Sequence, residues 1–334
     1  MALTVTARAQ RTPMHRVIFD TDFALPPQDD GLALAFALNS PELEIVGITT
    51  VAGNYNVLRA NADVLRMLEI AGRPEIRVYG GARRPLAHDA DAYARTHYGK
   101  WWSDDPAPAP PGGFAGLTLQ PEAAADFIAR TVTAAPGQIE ILAIGPLTNV
   151  ASAIKSHAGL AKAIKRITIM GGAIGALPNG AGNMTPAAEF NFWVDPEAAR
   201  IVLRSGAPIT LSPLNVSMKT AFDKASFERI AAADTPIARM IASQMGARFA
   251  RDAGYHPHMY DEVAAASLVD PSLVRTRAMI VDVDDHHGIG YGASIGGDEP
   301  WPGAEDAARV DVQYDIDNAR FMALFADRLA RRPR

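Results

Sequence analysis

Two periods alternate along this chain. Short runs rich in β-branched residues recur: VIFD (17–20), EIVGITTV (44–51), IEILAIG (139–145), RITIMGG (166–172), PITLSPL (208–214) and MIVDVD (279–284). They read as buried strands. Between them lie NVLRANADVLRMLEIAG (56–72), EAAADFIARTVTAA (122–135), DPEAARIVLRSG (195–206) and PIARMIASQMGARFAR (236–251), with apolar residues at helical spacing. Asp195-Pro196 and Gly206 have the form of a helix start and stop. This alternation predicts an α/β fold: a single-domain, open, mostly parallel sheet with helices on both faces. In such sheets ligands gather beyond the carboxyl ends of the strands.

Two stretches break the pattern. Residues 84–116 hold His88, His97, Tyr98, Trp101 and Trp102 before a Pro/Gly-rich run, and read as a long loop, either a lid or a surface insertion. The Gly-rich GAIGALPNGAGNMTP (172–186) also reads as loop. The opening 1–15 reads as a disordered leader rather than a signal peptide, leaving 16–330 as one domain.

Composition narrows the chemistry. The 334 residues are 48% hydrophobic and 21% charged, enough for a sizeable core. A net charge of −5 speaks against nucleic-acid binding and against an anionic membrane surface. No run is long enough to span a bilayer, and the cytoplasm is the expected location. There is no cysteine, so any metal must rest on oxygen or imidazole ligands.

One stretch concentrates charge. FDTDFALPPQDDGLALAF (19–36) places Asp20 and Asp22 at a strand's end and Asp29 and Asp30 at a helix start. A helix cap accounts for Asp29, but four carboxylates this close repel unless a cation or a proton intervenes. A hard divalent ion is the natural neutraliser. A strand ending in Asp-x-Asp also opens the haloacid-dehalogenase phosphatases, with Asp20 as nucleophile; here Phe23-Ala24 follows and no later lysine motif supports that chemistry.

Later strand ends supply further oxygen ligands. ITTVAGNYN (48–56) carries Asn54, ILAIGPLTN (141–149) the Ile144 carbonyl before Gly-Pro, and ITIMGG (167–172) Met170. AEFNFWVDPEAA (188–199) carries Glu189 and Asn191, read as two polar side chains on one face of an extended segment, and MYDEVAAASLVDP (259–271) opens a helix with Asp261. In this order the motifs resemble the nucleoside hydrolases, the metal-dependent nucleoside N-ribohydrolases, from about residue 16 to about residue 325.

The resemblance implies a Ca²⁺ ion held by Asp22, Asp30, the Ile144 carbonyl and Asp261, with waters completing a shell of roughly six to eight oxygens. It implies that Asp22 takes a proton from an acidified water, which attacks C1′ of a ribonucleoside through an oxocarbenium-like state. It places Asp29 and Asn54 at the 2′- and 3′-hydroxyls. Asn183, Glu189 and Asn191 hold the rest of the sugar, with Met170 packing near it and Asp20 orienting the loop. A homodimer or homotetramer acting on a small nucleoside follows from the same likeness.

The chain departs from the family pattern at three places. The loop FALPPQ is three residues longer than the usual Pro-Gly turn. Tyr260 stands where many members have a histidine that protonates the leaving base; Tyr260 itself, His256, His258 and His97 are the alternatives. His286 and His287 in DDHHG read either as a metal pair facing the site or as an exposed turn. With Tyr260 there, two further readings stay open: a cationic leaving group such as that of nicotinamide riboside, and a non-hydrolytic ribose- or calcium-binding protein.

Overall fold

The computed structural model describes residues 14–97 and 100–331. Among them, nine strands form one sheet: β1 (His15–Thr21), β2 (Leu43–Thr50), β3 (Val78–Gly80), β4 (Ile139–Ala143), β5 (Arg166–Met170), β6 (Ile209–Ser212), β7 (Val274–Val283), β8 (Ser294–Gly297) and β9 (Arg309–Ile316). Their order is β3-β2-β1-β4-β5-β6-β9-β7-β8. Pairing is parallel from β3 through β6 to β9, while β7 runs antiparallel to both β9 and β8. The expected open, mostly parallel sheet is therefore present, with an antiparallel margin.

The central strands are buried on both faces, which is why they read as unbroken apolar runs. In β1, Val17 and Phe19 enter one core while Ile18 enters the other; in β4, Leu142 joins the first and Ile141 and Ala143 the second. Helices Asp29–Leu38, Val57–Ala71 and Asp261–Val269 cover the first face, and Ala124–Ala134 and Pro196–Leu203 the second.

Local signals hold where a cap or breaker is involved. Asp195 accepts the Ala198 N–H at 3.0 Å and Pro196 begins the helix. The helix ends at Leu203 with Arg204 as its C-cap, and Gly206, at φ +77°, turns the chain two residues later. The leader needs one correction: its residues 1–13 lie outside the described residues, but His15 already belongs to β1. The stretch 84–116 contains a short helix, Ala92–His97, and Trp101 is buried against a small cluster with Ala90, Ala94, Trp193 and Tyr291. Tyr98 lies outside the described residues. No described helix is long and apolar enough to cross a membrane.

Candidate active site

β1 lies inside the sheet, between β2 and β4, and its carboxyl end delivers Asp20, Thr21 and Asp22, all buried. The longer loop that follows is anchored by Phe23, wholly buried in the first core. It returns the chain so that Asp29 and Asp30 lie in the first turn of helix Asp29–Leu38, where the helix dipole favours carboxylates. The N-cap is Gln28, so capping does not account for Asp29. The same holds at the late helix, where Tyr260 is the N-cap and Asp261 lies inside the first turn.

Two glycines make room for Asp22. A Cβ on Gly53 would lie 2.1 Å from Asp22 Oδ2, and one on Gly145 would lie 2.7 Å from the Asp22 backbone nitrogen. Either side chain would displace the carboxylate. Asn54 ties the cluster together: its backbone N–H donates to Asp22 Oδ2 at 2.6 Å and its amide to Asp30 Oδ2 at 2.7 Å. The Thr21 hydroxyl donates to the other Asp30 oxygen. Asp20 points into the protein, where Oδ1 accepts from Thr49 Oγ1 at 2.5 Å and from Asn149 Nδ2 at 2.8 Å.

Carboxylate oxygens of Asp29, Asp30 and Asp261 lie within 4.8 Å of one another. The group thus joins Asp29, expected at the ribose hydroxyls, to two of the expected metal ligands. Burial and neighbouring negative charge act together on it. Burial, then Asp22 and Asp29, push Asp30 well above the usual carboxylate range; burial, then Asp29 and Asp30, do the same to Asp261. Asp22 is pushed up to about 7, chiefly by burial and then by Asp29. None of the ion pairs among the described residues gives these carboxylates a cationic side chain. Carboxylates gathered this closely, with Asp22, Asp30 and Asp261 buried and no cationic side-chain partner among the described residues, fit a hard divalent cation better than they fit a bare protein.

The cavity over this cluster has a volume of about 290 Å³, and its wall includes Asp22, Asp29, Asn54, Ile144, Met170, Asn183, Glu189, Asn191, Tyr260 and Asp261. Glu189 and Asn191 do not lie on an extended segment, as their alternation had implied. Glu189 is the N-cap of the short helix Phe190–Val194 and accepts the N–H groups of Asn191 and Phe192. Its other contact is the Gly172 N–H at 2.9 Å, so the carboxylate locks the Gly-rich loop to that helix. Asn191 donates to the Ile144 carbonyl at 3.1 Å and the Met170 carbonyl at 3.2 Å, joining two strand ends. Asn183 Oδ1 accepts the Phe190 N–H at 2.9 Å.

The proposed proton donors divide. Tyr260 is in the cavity wall; burial, then the charges of Asp29 and Glu262, raise its phenol further, so it holds its proton more tightly than a free tyrosine. His256 is exposed, His258 engages the Thr220 carbonyl through Nδ1 at 2.7 Å, and His97 lies on the exposed face of Ala92–His97, stacked on Tyr93. None of these histidines lines the cavity. His286 is exposed beside Asp284 and Asp285, while His287 stacks on His88 with ring centroids 5.0 Å apart. They line no part of the carboxylate cavity either, which favours the exposed-turn reading.

Sequence reasoning gave no role to Thr21, Asn149, Gln28, Met184 or Glu262. Asn149 stood in the quoted ILAIGPLTN, at the start of the helix after β4; its contact with Asp20 spans 129 positions and has no local signal. Glu262 is buried beside Asp261 with one carboxylate oxygen unpartnered, and only its place next to Asp261 marked it.

Residues 17–323 match the family described as inosine-uridine preferring nucleoside hydrolase. The chain belongs to that family. It is 37% identical over 319 residues to the pyrimidine-specific ribonucleoside hydrolase RihA of Citrobacter koseri, covering 94% of this chain and 97% of that protein. Among solved structures, it resembles the plant nucleoside hydrolase PpNRh1 at TM-score 0.78 and 29% identity, covering 95% and 99% of the two chains. It resembles the purine-preferring ribonucleoside hydrolase of Gardnerella vaginalis at TM-score 0.79 and 28% identity, covering 94% and 98%. The fold and the enzyme class expected from the sequence stand: this is a nucleoside N-ribohydrolase, and the phosphatase and non-hydrolytic readings are set aside.

Proposed function

We propose that the chain hydrolyses ribonucleosides to base and ribose with a calcium ion held by Asp22, Asp30, Asp261 and the Ile144 carbonyl, Asp29 lying close enough to share the ion's field. The observation that carries this reading is the convergence of Asp29, Asp30 and Asp261 beside the buried Asp22, with no cationic side-chain partner among the described residues. Bound there, a divalent cation relieves their repulsion and brings the pKa of a water molecule toward neutrality.

The side chains divide the rest of the work. Asp22 is the general base, its carboxyl fixed by the Asn54 N–H and by the space over Gly53 and Gly145. Asp29 and Asn54 receive the 2′- and 3′-hydroxyls. Asn183, Glu189 and Asn191 receive the far side of the sugar, with Met170 beneath it. As the glycosidic bond lengthens, positive charge grows on the ribose ring, and the surrounding carboxylates stabilise it. A 5′-phosphate would meet the same carboxylates with no cationic side chain among the described residues of the wall to offset them, which favours nucleosides over nucleotides.

Pyrimidine ribonucleosides stand first among substrates in this reading. Its support is the name of the Citrobacter koseri relative and a cavity of about 290 Å³, at the small end of the ~300–1,000 Å³ usual for ligand sites. Tyr260 acts as a hydrogen-bond donor to the departing base rather than as a strong acid. The test is ribose release from uridine, cytidine, inosine, adenosine and nicotinamide riboside with calcium present, using Asp22→Asn as control. Release that survives Asp22→Asn overturns the assignment of the base; a purine ranked first overturns the substrate preference.

A further inference from the structure

The lengthened loop ends on Gln28, whose placement the reaction so far leaves unused. Gln28 is the N-cap of helix Asp29–Leu38, yet its side chain makes no capping hydrogen bond. Glutamine is not among the good N-cap residues, so capping does not explain it. Gln28 is exposed, its amide has no partner among the described residues, and it lies in the wall of the carboxylate cavity, where a ligand can reach it. On its other side it borders a second hollow with Leu25, Pro26, Pro27 and Tyr55, so the Pro-Pro loop delivers it as a partition between the two.

The rest of the wall is already committed. The carboxylates and the Ile144 carbonyl face the cation, and the asparagines and Glu189 face the sugar. What is left for a base is the apolar surface of Phe190 and Met184, the Tyr260 hydroxyl and the Gln28 amide. A nucleobase needs such a set: apolar contact for its faces, and donors and acceptors for its edge. A carboxamide offers both, and can turn to match either order of them.

We infer that Gln28 is a specificity-determining residue that reads the hydrogen-bonding edge of the base, the ring nitrogen and its neighbouring exocyclic oxygen or amino group. The inference rests on the ribonucleoside reading above. Gln28 favours substrates whose leaving group carries that edge and is indifferent to one without it.

The test compares uridine with 4-nitrophenyl riboside, whose leaving nitrophenolate has no such edge. In both, water attacks C1′ and the bond from C1′ to the leaving group breaks. Gln28→Leu is expected to lower the ratio of kcat/KM for uridine to that for 4-nitrophenyl riboside about tenfold, the size of one lost hydrogen bond. Gln28→Asn, which keeps the amide on a shorter stem, falls between. An unchanged ratio overturns the inference. A second arm needs no variant: the unaltered protein should turn over 3-methyluridine, whose edge is blocked, at least about tenfold less efficiently than uridine. Equal efficiency for the two overturns the inference even if Gln28→Leu does not fold. Failure of the unaltered protein to cleave either uridine or 4-nitrophenyl riboside would instead overturn the reaction itself.

Discussion

The two ends of the sheet treat buried carboxylates in opposite ways. At the amino ends of the strands a cavity of about 480 Å³ is lined by His15, Glu140, Lys165, Arg166 and Asp311 among others. Glu140, only 3% exposed, receives His15 at 2.8 Å and Lys165 at 2.6 Å, while Arg166 reaches Asp311 at 3.1 Å. At the carboxyl ends a smaller cavity of about 290 Å³ gathers Asp22, Asp29, Glu189 and Asp261, and no cationic side chain among the described residues lines it. The larger hollow is electrostatically closed by its own residues. The smaller one is left open to an outside cation and a polar substrate. Unpaired buried charge, not volume, marks the functional end.

The sharpest way to break this contrast is to neutralise one carboxylate at each end. Asp22→Asn should lower ribose release by about 10³-fold, within the range of a lost general base. Glu140→Gln should leave kcat/KM within about twofold, because the change is to a pair that touches no substrate. Equal losses in steady-state assays would erase the distinction. The next largest effect is removal of metal. Chelation should abolish turnover and calcium should restore it. The melting temperature should rise with calcium, the stabilisation reaching about 4 kcal/mol at a thousandfold excess over Kd. A melt indifferent to calcium would remove the cation from the site.

The contrast also has a pH signature. In the metal-free protein burial holds Asp22 and Glu189 up at about 7. Both are ordinary carboxylates in the unfolded chain, so the folded state holds protons more tightly than the unfolded one. Their contribution to stability is full below about pH 4 and is lost as pH rises through about 7. Thermal melts of metal-free protein should therefore fall from pH 5 to pH 8. With calcium bound the ionised carboxylates are the favoured form, and that decline should shrink. Parallel profiles with and without calcium would show that the cation does not engage this cluster.

Much of this was legible from spacing alone, and the failures have physical causes. β1, β2, β4, β5 and β6 announced themselves because strands buried on both faces must be apolar throughout. β3 is three residues long, too short to show a period, whereas β9 alternates polar Arg309, Asp311, Gln313 and Asp315 with apolar Val310, Val312, Tyr314 and Ile316, so it is no unbroken apolar run. The site was legible where a carboxylate stands at a strand end. Glu189 and Asn191 line the cavity, but on a different backbone from the extended segment expected, because a five-residue helix is too short to show a helical repeat. The Asn149–Asp20 contact joins β1 to the segment after β4, and no window of sequence contains both. The clustering of Asp29 with Asp30 and Asp261 depends on how the longer loop closes, which spacing does not determine.

The smallest predicted effect probes the paired end from its exposed partner. Lys165 is 44% exposed along its side chain, whereas the Glu140 side chain is 4% exposed. Removing the lysine charge by Lys165→Met leaves Glu140 still bonded to His15 at 2.8 Å. The ion pair is also discounted by solvent on the lysine side, so the loss should be at most about 1 kcal/mol. Glu140→Gln alters the buried partner and weakens two hydrogen bonds at once, so its loss should be larger, about 1–2 kcal/mol. Denaturant melts of the two variants and their double mutant would check the order. At the carboxyl ends the same logic runs in reverse. There a neutral residue in place of Asp22 relieves repulsion, so metal-free Asp22→Asn should be at least as stable as the unaltered protein at pH 8. If it is less stable, the carboxylates at that end are held by contacts like those of Glu140, and the difference between the two ends of the sheet disappears.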